Sequence, residues 1–260
     1  FDLDRKNTRS MKWDDCNSKF GVDESTAMIP MWIADMDFRS PKEVIDAVID
    51  RASLGCYGYT TKPDCFYERI INWVDRRYHW KIKKEWIIFT PGVIPGYTIT
   101  IQNFTKPGDG IIVQTPVYYP FMDGVVNNGR KLVYNPLIEK EGDWFMDFED
   151  LERKVKDPDN KLLILSNPHN PVGRAWTAEE LTSLGNLCAE NDVLLISDEI
   201  HAVPDAYYYN EPLTVFNGEH TMLPLMLSMY EISSAEDAEN YVLLLEDAPR
   251  YIGQIEQFER

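Results

Sequence analysis

The run Ser197-Asp198-Glu199-Ile200-His201 follows a short apolar stretch, and Asp198 therefore emerges where an unpaired negative charge is costly. A carboxylate so placed calls for a cationic partner, and a protonated ring nitrogen on a bound ligand would serve. Two other uses stay open at this level. The carboxylate could cap the following loop, or Asp198, Glu199 and His201 could ligate a metal, although alternation along a strand turns Glu199 away from Asp198 and weakens the metal reading.

Three further segments have the same position, just after an apolar run. Thr90-Pro91-Gly92-Val93-Ile94-Pro95-Gly96 sets a glycine at a strand-to-helix turn, where free amides and the helix dipole favour an anion such as phosphate. An ordinary connecting loop would read the same way, and no Gly-Lys-Ser/Thr follows to make it a P-loop. Gln114-Thr115-Pro116-Val117-Tyr118-Tyr119 offers an aromatic that could stack on a flat ring or simply pack in the core. In Ser166-Asn167-Pro168-His169-Asn170-Pro171-Val172-Gly173-Arg174, two Asn-Pro steps fix an extended turn that holds Asn170 as an oriented hydrogen-bond donor.

The elements that must carry these segments follow from apolar spacing. Ser40-Pro41-Lys42-Glu43 provides a capping serine, a first-turn proline and a returning glutamate, and Val44, Ile45, Val48 and Ile49 continue a helix over about 41–53. Asp64 can cap a second helix that ends near Trp80, with Phe66, Ile70, Ile71 and Trp73 as its apolar residues. Short apolar runs at 86–89, 110–114, 131–134, 162–166 and 193–197 read as buried strands with helices between them. Thr177-Ala178-Glu179-Glu180 is a second capping box, opening a helix with Leu181, Leu184, Leu187 and Cys188. Strand and helix in alternation predict an α/β fold with a mostly parallel sheet, whose ligands bind beyond the carboxyl ends of the strands.

Composition narrows the function classes. With 44% hydrophobic and 12% aromatic residues in 260, the chain has ample material for a core. Its formal charge of −17 argues against nucleic-acid and anionic-membrane partners, because phosphate binding depends on lysine and arginine. Cys16, Cys56, Cys65 and Cys188 form no CxxC pair or framework, so neither a zinc site nor a disulfide scaffold is suggested. No apolar run reaches a membrane span and no signal-peptide core opens the sequence, so a cytoplasmic protein is expected.

Taken together and in order, these motifs resemble the fold type I pyridoxal-phosphate enzymes. Met31-Trp32-Ile33-Ala34-Asp35-Met36-Asp37-Phe38, Tyr57-Gly58-Tyr59-Thr60, the Asn-Pro segment and Ser-Asp-Glu-Ile-His are similar to the cystathionine β-lyase branch sometimes called the MalY/PatB group, over roughly residues 1–202. The resemblance implies pyridoxal phosphate as cofactor, a small amino-acid substrate and a homodimer. It also implies roles: Gly92, Val93 and Ile94 for the phosphate, Tyr118 stacked on the ring, Asn170 at the phenolic oxygen and Asp198 at the ring nitrogen. His201 lies nearby, Tyr59 serves the partner subunit's phosphate, and Trp32, Ala34 and Asp35 line the substrate entrance. The implied organisation is an N-terminal arm over 1–45, a cofactor-binding domain over 46–202 and an acidic segment over 203–260 that does not match the family.

One residue of the family pattern is missing. The resemblance implies a Schiff-base lysine some tens of residues after the aspartate, yet residues 162–260 contain no lysine, and the earlier lysines read as lying on helices, loops and strand starts. No counterpart of the family's carboxylate-binding arginine can be placed, and the small C-terminal domain looks absent. Residues 203–260 instead hold Tyr207-Tyr208-Tyr209, an apolar run over 221–230, an expected acidic helix from Ser233 with Tyr241, Val242, Leu244 and Leu245, and a stretch after Pro249 with Ile252, Ile255 and Phe258 on one face. The expectation is carbon–sulfur β-elimination as the family activity with impaired catalysis in this chain. Aminotransfer, or noncovalent cofactor binding alone, is the alternative.

Overall fold

A computed structural model describes residues 3–202 together with the strands at 222–225 and 242–244. The described residues fall into two compact units, one ending at Tyr57 and one beginning at Gly58.

In the first unit, the short helices α1 (Met11–Asp14) and α2 (Cys16–Lys19) precede the longer α3 (Lys42–Ser53). The expected capping box at Ser40 does not form: Pro41 occupies the cap, with no side-chain hydrogen bond. Ser40 stands one residue too early for its hydroxyl to reach the first free amides. Of the apolar positions expected to share a buried face, Val44 is buried, whereas Val48 and Ile49 are more than half exposed.

The second unit is built on a sheet whose strands are β1 (Ile87–Phe89), β2 (Gly110–Val113), β3 (Lys131–Tyr134), β6 (Asn160–Ser166), β7 (Leu194–Asp198), β8 (Met222–Leu225) and β9 (Val242–Leu244). A separate hairpin pairs β4 (Ile138–Lys140) with β5 (Asp143–Phe145). The sheet order is β1-β9-β8-β7-β6-β2-β3. Only β9 runs against the others, pairing antiparallel with both β1 and β8, so the carboxyl ends of β1, β2, β6, β7 and β8 lie along one edge. This is the mostly parallel α/β sheet expected from the alternation.

Helices α4 (Asp64–Tyr78), α5 (Val93–Phe104), α6 (Pro120–Asn127), α7 (Phe148–Val155) and α8 (Ala178–Glu190) complete the unit. Alternation along β6 explains the two layers. Leu163 and Leu165 join Leu151, Val155, Leu181, Leu184 and Cys188 of α7 and α8, while Leu162 and Ile164 join Tyr97, Ile101, Phe121 and Val125 of α5 and α6. Each such fully buried aliphatic side chain contributes about 1.5–3 kcal/mol. The close approach of α5 and α6 needs Gly124, where an added Cβ would stand 2.6 Å from the buried Tyr97 ring.

The capping box on α8 forms as expected: Thr177 Oγ1 accepts from the Glu180 amide at 3.2 Å, and the Glu180 carboxylate accepts from the Thr177 amide at 2.9 Å. Other expectations need correction. Asp64 is the first residue of α4 and not its cap, and its carboxylate is held by Lys84. That helix stops at Tyr78, where His79 takes a left-handed conformation. Strand β3 is half-buried to exposed because it forms the sheet edge and has a neighbour on one side only. Val242 and Leu244, expected on a helix, lie in a strand between β8 and β1. The expected tyrosine run at 207–209, the helix start at Ser233 and the stretch after Pro249 lie outside the described residues.

Candidate functional site

The four segments that carried chemical meaning sit at one edge of the second unit. Residues 90–94 follow β1, Tyr118 follows β2, Asn170 follows β6, and Asp198 ends β7. Strands β2, β6 and β7 are neighbours, and Ser166 pairs in register with Asp198, so the Asn170 loop and Asp198 leave the sheet side by side.

Asp198 is buried, with 4% of its surface exposed, and its Oδ1 accepts from the Ile200 amide at 3.0 Å. Among the described residues it makes no ion pair. Burial pushes its pKa up to about 7, against the small opposing pull of the Ile200 hydrogen bond. Glu199 is also buried and accepts from Ser197 Oγ at 2.9 Å, and burial raises its pKa to about 7. That bond places Ser197 and Glu199 on one side and Asp198 on the other, as strand alternation requires. Among the described residues, no three or more His, Cys, Asp or Glu side chains are grouped as a metal site would need.

Gly92 caps α5 with φ of 144°, a conformation open to glycine and strained for other residues. Thr90 Oγ1 donates to the Gly92 carbonyl at 3.0 Å, and the first internal bond of the helix runs from the Gly96 amide to Gly92. The amides of Val93 and Ile94 therefore lack helical partners at the positive end of the dipole. Tyr97, one turn further on, is fully buried and donates to the Pro120 carbonyl at 2.7 Å. Burial raises its pKa, with Tyr118 and Asp198 adding to the effect, so the start of α5 lies within electrostatic reach of both.

Tyr118 is half-buried, with its ring 5.9 Å from Phe121 in an edge-on contact. Asn170 is half-buried and its amide donates to Ser166 Oγ at 3.2 Å. His201 sits in the turn after β7 with its side chain open to solvent, yet its surroundings are crowded enough that desolvation lowers its pKa. Arg174, inside the Asn-Pro segment, is structural: it grips Glu180 with two nitrogens and lies over the rings of Phe145 and Trp176.

Tyr59, Trp32, Ala34 and Asp35, also expected at the site, are described each within its own unit. Tyr59 belongs to the second unit with its side chain wholly exposed. Trp32, Ala34 and Asp35 belong to the first unit, where their segment is bonded to the N-terminal stretch. Arg5 bonds Asp35 at 2.5 Å, Lys12 bonds Asp37 at 2.8 Å, and the Trp13 indole bonds Asp37 at 2.7 Å. The bonds from Lys12 and Trp13 hold the Asp37 carboxyl below the usual range. These aspartates are thus held by side chains of their own chain.

Sequence reasoning passed over Thr90, Tyr97, His169 and Trp176. His169, between two Asn-Pro steps, and Thr90, at the head of the Gly92 turn, carried signals that could have been used. It also treated every lysine as remote from the carboxyl edge. Lys62 departs from this: its Nζ lies 4.5 Å from the centre of the Phe89 ring, at the carboxyl end of β1.

Residues 27–206 match the model of the family described as aminotransferase class I and II. The chain belongs to that family. It is 46% identical over 213 residues to cystathionine beta-lyase PatB of Bacillus subtilis strain 168, covering 82% of this chain and 54% of the relative. It is 32% identical over 200 residues to protein MalY of Escherichia coli K12, covering 76% of this chain and 50% of that one. Cystalysin from Treponema denticola, a structure that contains pyridoxal 5'-phosphate, superimposes with a TM-score of 0.84 at 31% identity over 99% of this chain and 66% of its own. The sheet is accordingly that of the large domain of fold type I pyridoxal-phosphate enzymes, as the motifs implied. The chain spans about half the length of the curated relatives it matches.

Proposed function

We propose that this chain carries the cofactor-binding part of a pyridoxal-phosphate-dependent carbon–sulfur lyase acting on cystathionine or a related cysteine conjugate. The observation that supports it most is Asp198: a buried carboxylate, without a cation among the described residues, at the carboxyl edge between the Asn170 loop and the start of α5. A protonated pyridine nitrogen is the charge it lacks. The amides after Gly92 would take the phosphate, Tyr118 would face the ring, and Asn170 would donate to the phenolic oxygen. When bound, pyridoxal phosphate supplies an electron sink for negative charge on the substrate α-carbon. Asp198 in its anionic form would keep the ring-nitrogen proton in place.

Lys62 lies at that edge beside Phe89, and no lysine follows Lys161, so these 260 residues offer no assigned amine to bond the cofactor or move the α-proton. We infer that the chain alone binds and does not turn over. Incubated with cystathionine and pyridoxal phosphate, it is expected to release pyruvate no faster than free cofactor. Joined to the C-terminal half of the Bacillus subtilis relative, it is expected to release pyruvate, thiol and ammonia. Amino transfer without pyruvate from the joined protein would replace the lyase reading by an aminotransferase one.

A homodimer is part of the same proposal. Among the described residues, Tyr59 is wholly exposed and Tyr57 largely so, and both carry large rings suited to a contact with a second copy. Light scattering at micromolar concentration should give twice the mass of the 30.2 kDa chain, and a monodisperse monomer would count against it.

A further inference from the structure

We propose that His169 is a positioning residue that ties the Tyr118 loop to the Asn170 loop and so sets the slot for the cofactor ring. The inference rests on the site being a pyridoxal-phosphate site. His169 is 1% exposed, and its Nε2 lies 2.8 Å from the Pro116 carbonyl oxygen, two residues before Tyr118. A carbonyl can only accept, so Nε2 carries the hydrogen and donates; Nδ1 makes no hydrogen bond of ordinary geometry among the described residues. The protein around the ring disfavours a second proton, because burial lowers its pKa.

The other side of the tie is equally constrained. The His169 ring stands edge-on to Trp176 at 5.5 Å, and the Trp176 indole donates to the Ser166 carbonyl at 3.0 Å. The His169 amide donates to the Arg174 carbonyl, and the Gly173 amide to the His169 carbonyl, each at 2.7 Å. The next residue, Asn170, is held by its amide to Ser166 Oγ. One imidazole N–H is therefore the side-chain link between the loop after β2 and the loop after β6. It makes no hydrogen bond to the Gly92 loop. Its loss should weaken recognition of the ring and leave recognition of the phosphate alone.

Calorimetry separates the two, using pyridoxal phosphate and inorganic phosphate as distinct ligands. His169→Leu, which removes the donor, is expected to bind pyridoxal phosphate about tenfold more weakly, the scale of one lost buried hydrogen bond, with phosphate affinity unchanged. His169→Gln, whose amide N–H can occupy the Nε2 position, should recover most of the loss. Unchanged pyridoxal-phosphate affinity in His169→Leu, or equal loss of both ligands, overturns the positioning role and leaves the site reading intact. A wild-type chain that binds neither ligand overturns both. Should His169→Leu fail to fold, nitrogen-15 NMR of the wild-type ring decides: hydrogen on Nε2 supports the tie, and hydrogen on Nδ1 alone removes it.

Discussion

Reduced with borohydride in the presence of pyridoxal phosphate, digested and mapped by mass spectrometry, the chain is expected to give scattered partial adducts and no fully modified lysine. A resident imine needs an amine at the carboxyl edge of the sheet, next to the groups that would orient the ring. Lys161 opens β6 at the opposite end from Ser166, five residues or about 16 Å away at the usual rise of a strand. Lys131 starts β3 and pairs with Asp159, also at the amino edge. Lys154 and Lys156 are held by carboxylates of α7, and Lys84 by Asp64. Lys6, Lys12, Lys19 and Lys42 belong to the first unit. Lys62 lies beside Phe89 at the carboxyl end of β1, so it should be among the partial adducts. A general base is worth about 10²–10⁴ in rate and a covalent amine adds to it, so pyruvate release by these 260 residues alone is expected to be no faster than with free cofactor. One lysine modified to completion, whose mutation abolishes pyruvate release, would restore the chain as a working lyase.

The sequence made the sheet and the segments at its carboxyl edge readable because both depend on local patterns. Leu162 to Ser166 is apolar on both faces, as a strand covered by helices must be, and Thr177 with Glu180 announces a helix start through a three-residue spacing. The burial of Asp198 was legible for a related reason: it ends a run that is itself buried. What stayed hidden depends on contacts distant in sequence. The Arg5, Lys12 and Trp13 bonds to Asp35 and Asp37 span 23 to 32 residues, and the His169 tie spans 53. Strand β9 was misread because an apolar segment of three residues has no period to separate strand from helix; its pairing with β1 and β8 decides it.

Replacing Asp198 by asparagine is expected to stabilise the cofactor-free chain at pH 8 and to weaken pyridoxal-phosphate binding, two effects of opposite sign. In the empty protein, burial raises the Asp198 pKa from 3.8 to about 7, so the folded state binds a proton more tightly than the unfolded state does. The stability this represents is fully present below about pH 4 and is lost as pH rises through about 7. Above that, the folded chain holds an unpaired buried carboxylate. Glu199, raised to about 7 by burial, adds loss of the same sign. Asparagine keeps an oxygen for the Ile200 amide and removes the charge, so at pH 8 it should recover on the order of 2–4 kcal/mol, the upper figure being the whole shift at about 1.4 kcal/mol per unit. With cofactor present, the same substitution removes the partner of the ring nitrogen, and affinity should fall about 30-fold or more. Thermal melts across pH 5–8 and calorimetry on both proteins read the two effects separately. A carboxylate retained only to hold its loop would lose stability and binding together on substitution, and an unchanged affinity would remove the ring nitrogen from its surroundings. Stability gained and affinity lost through the same atom is what the proposed counter-charge role requires, because the charge is unfavourable without its ligand.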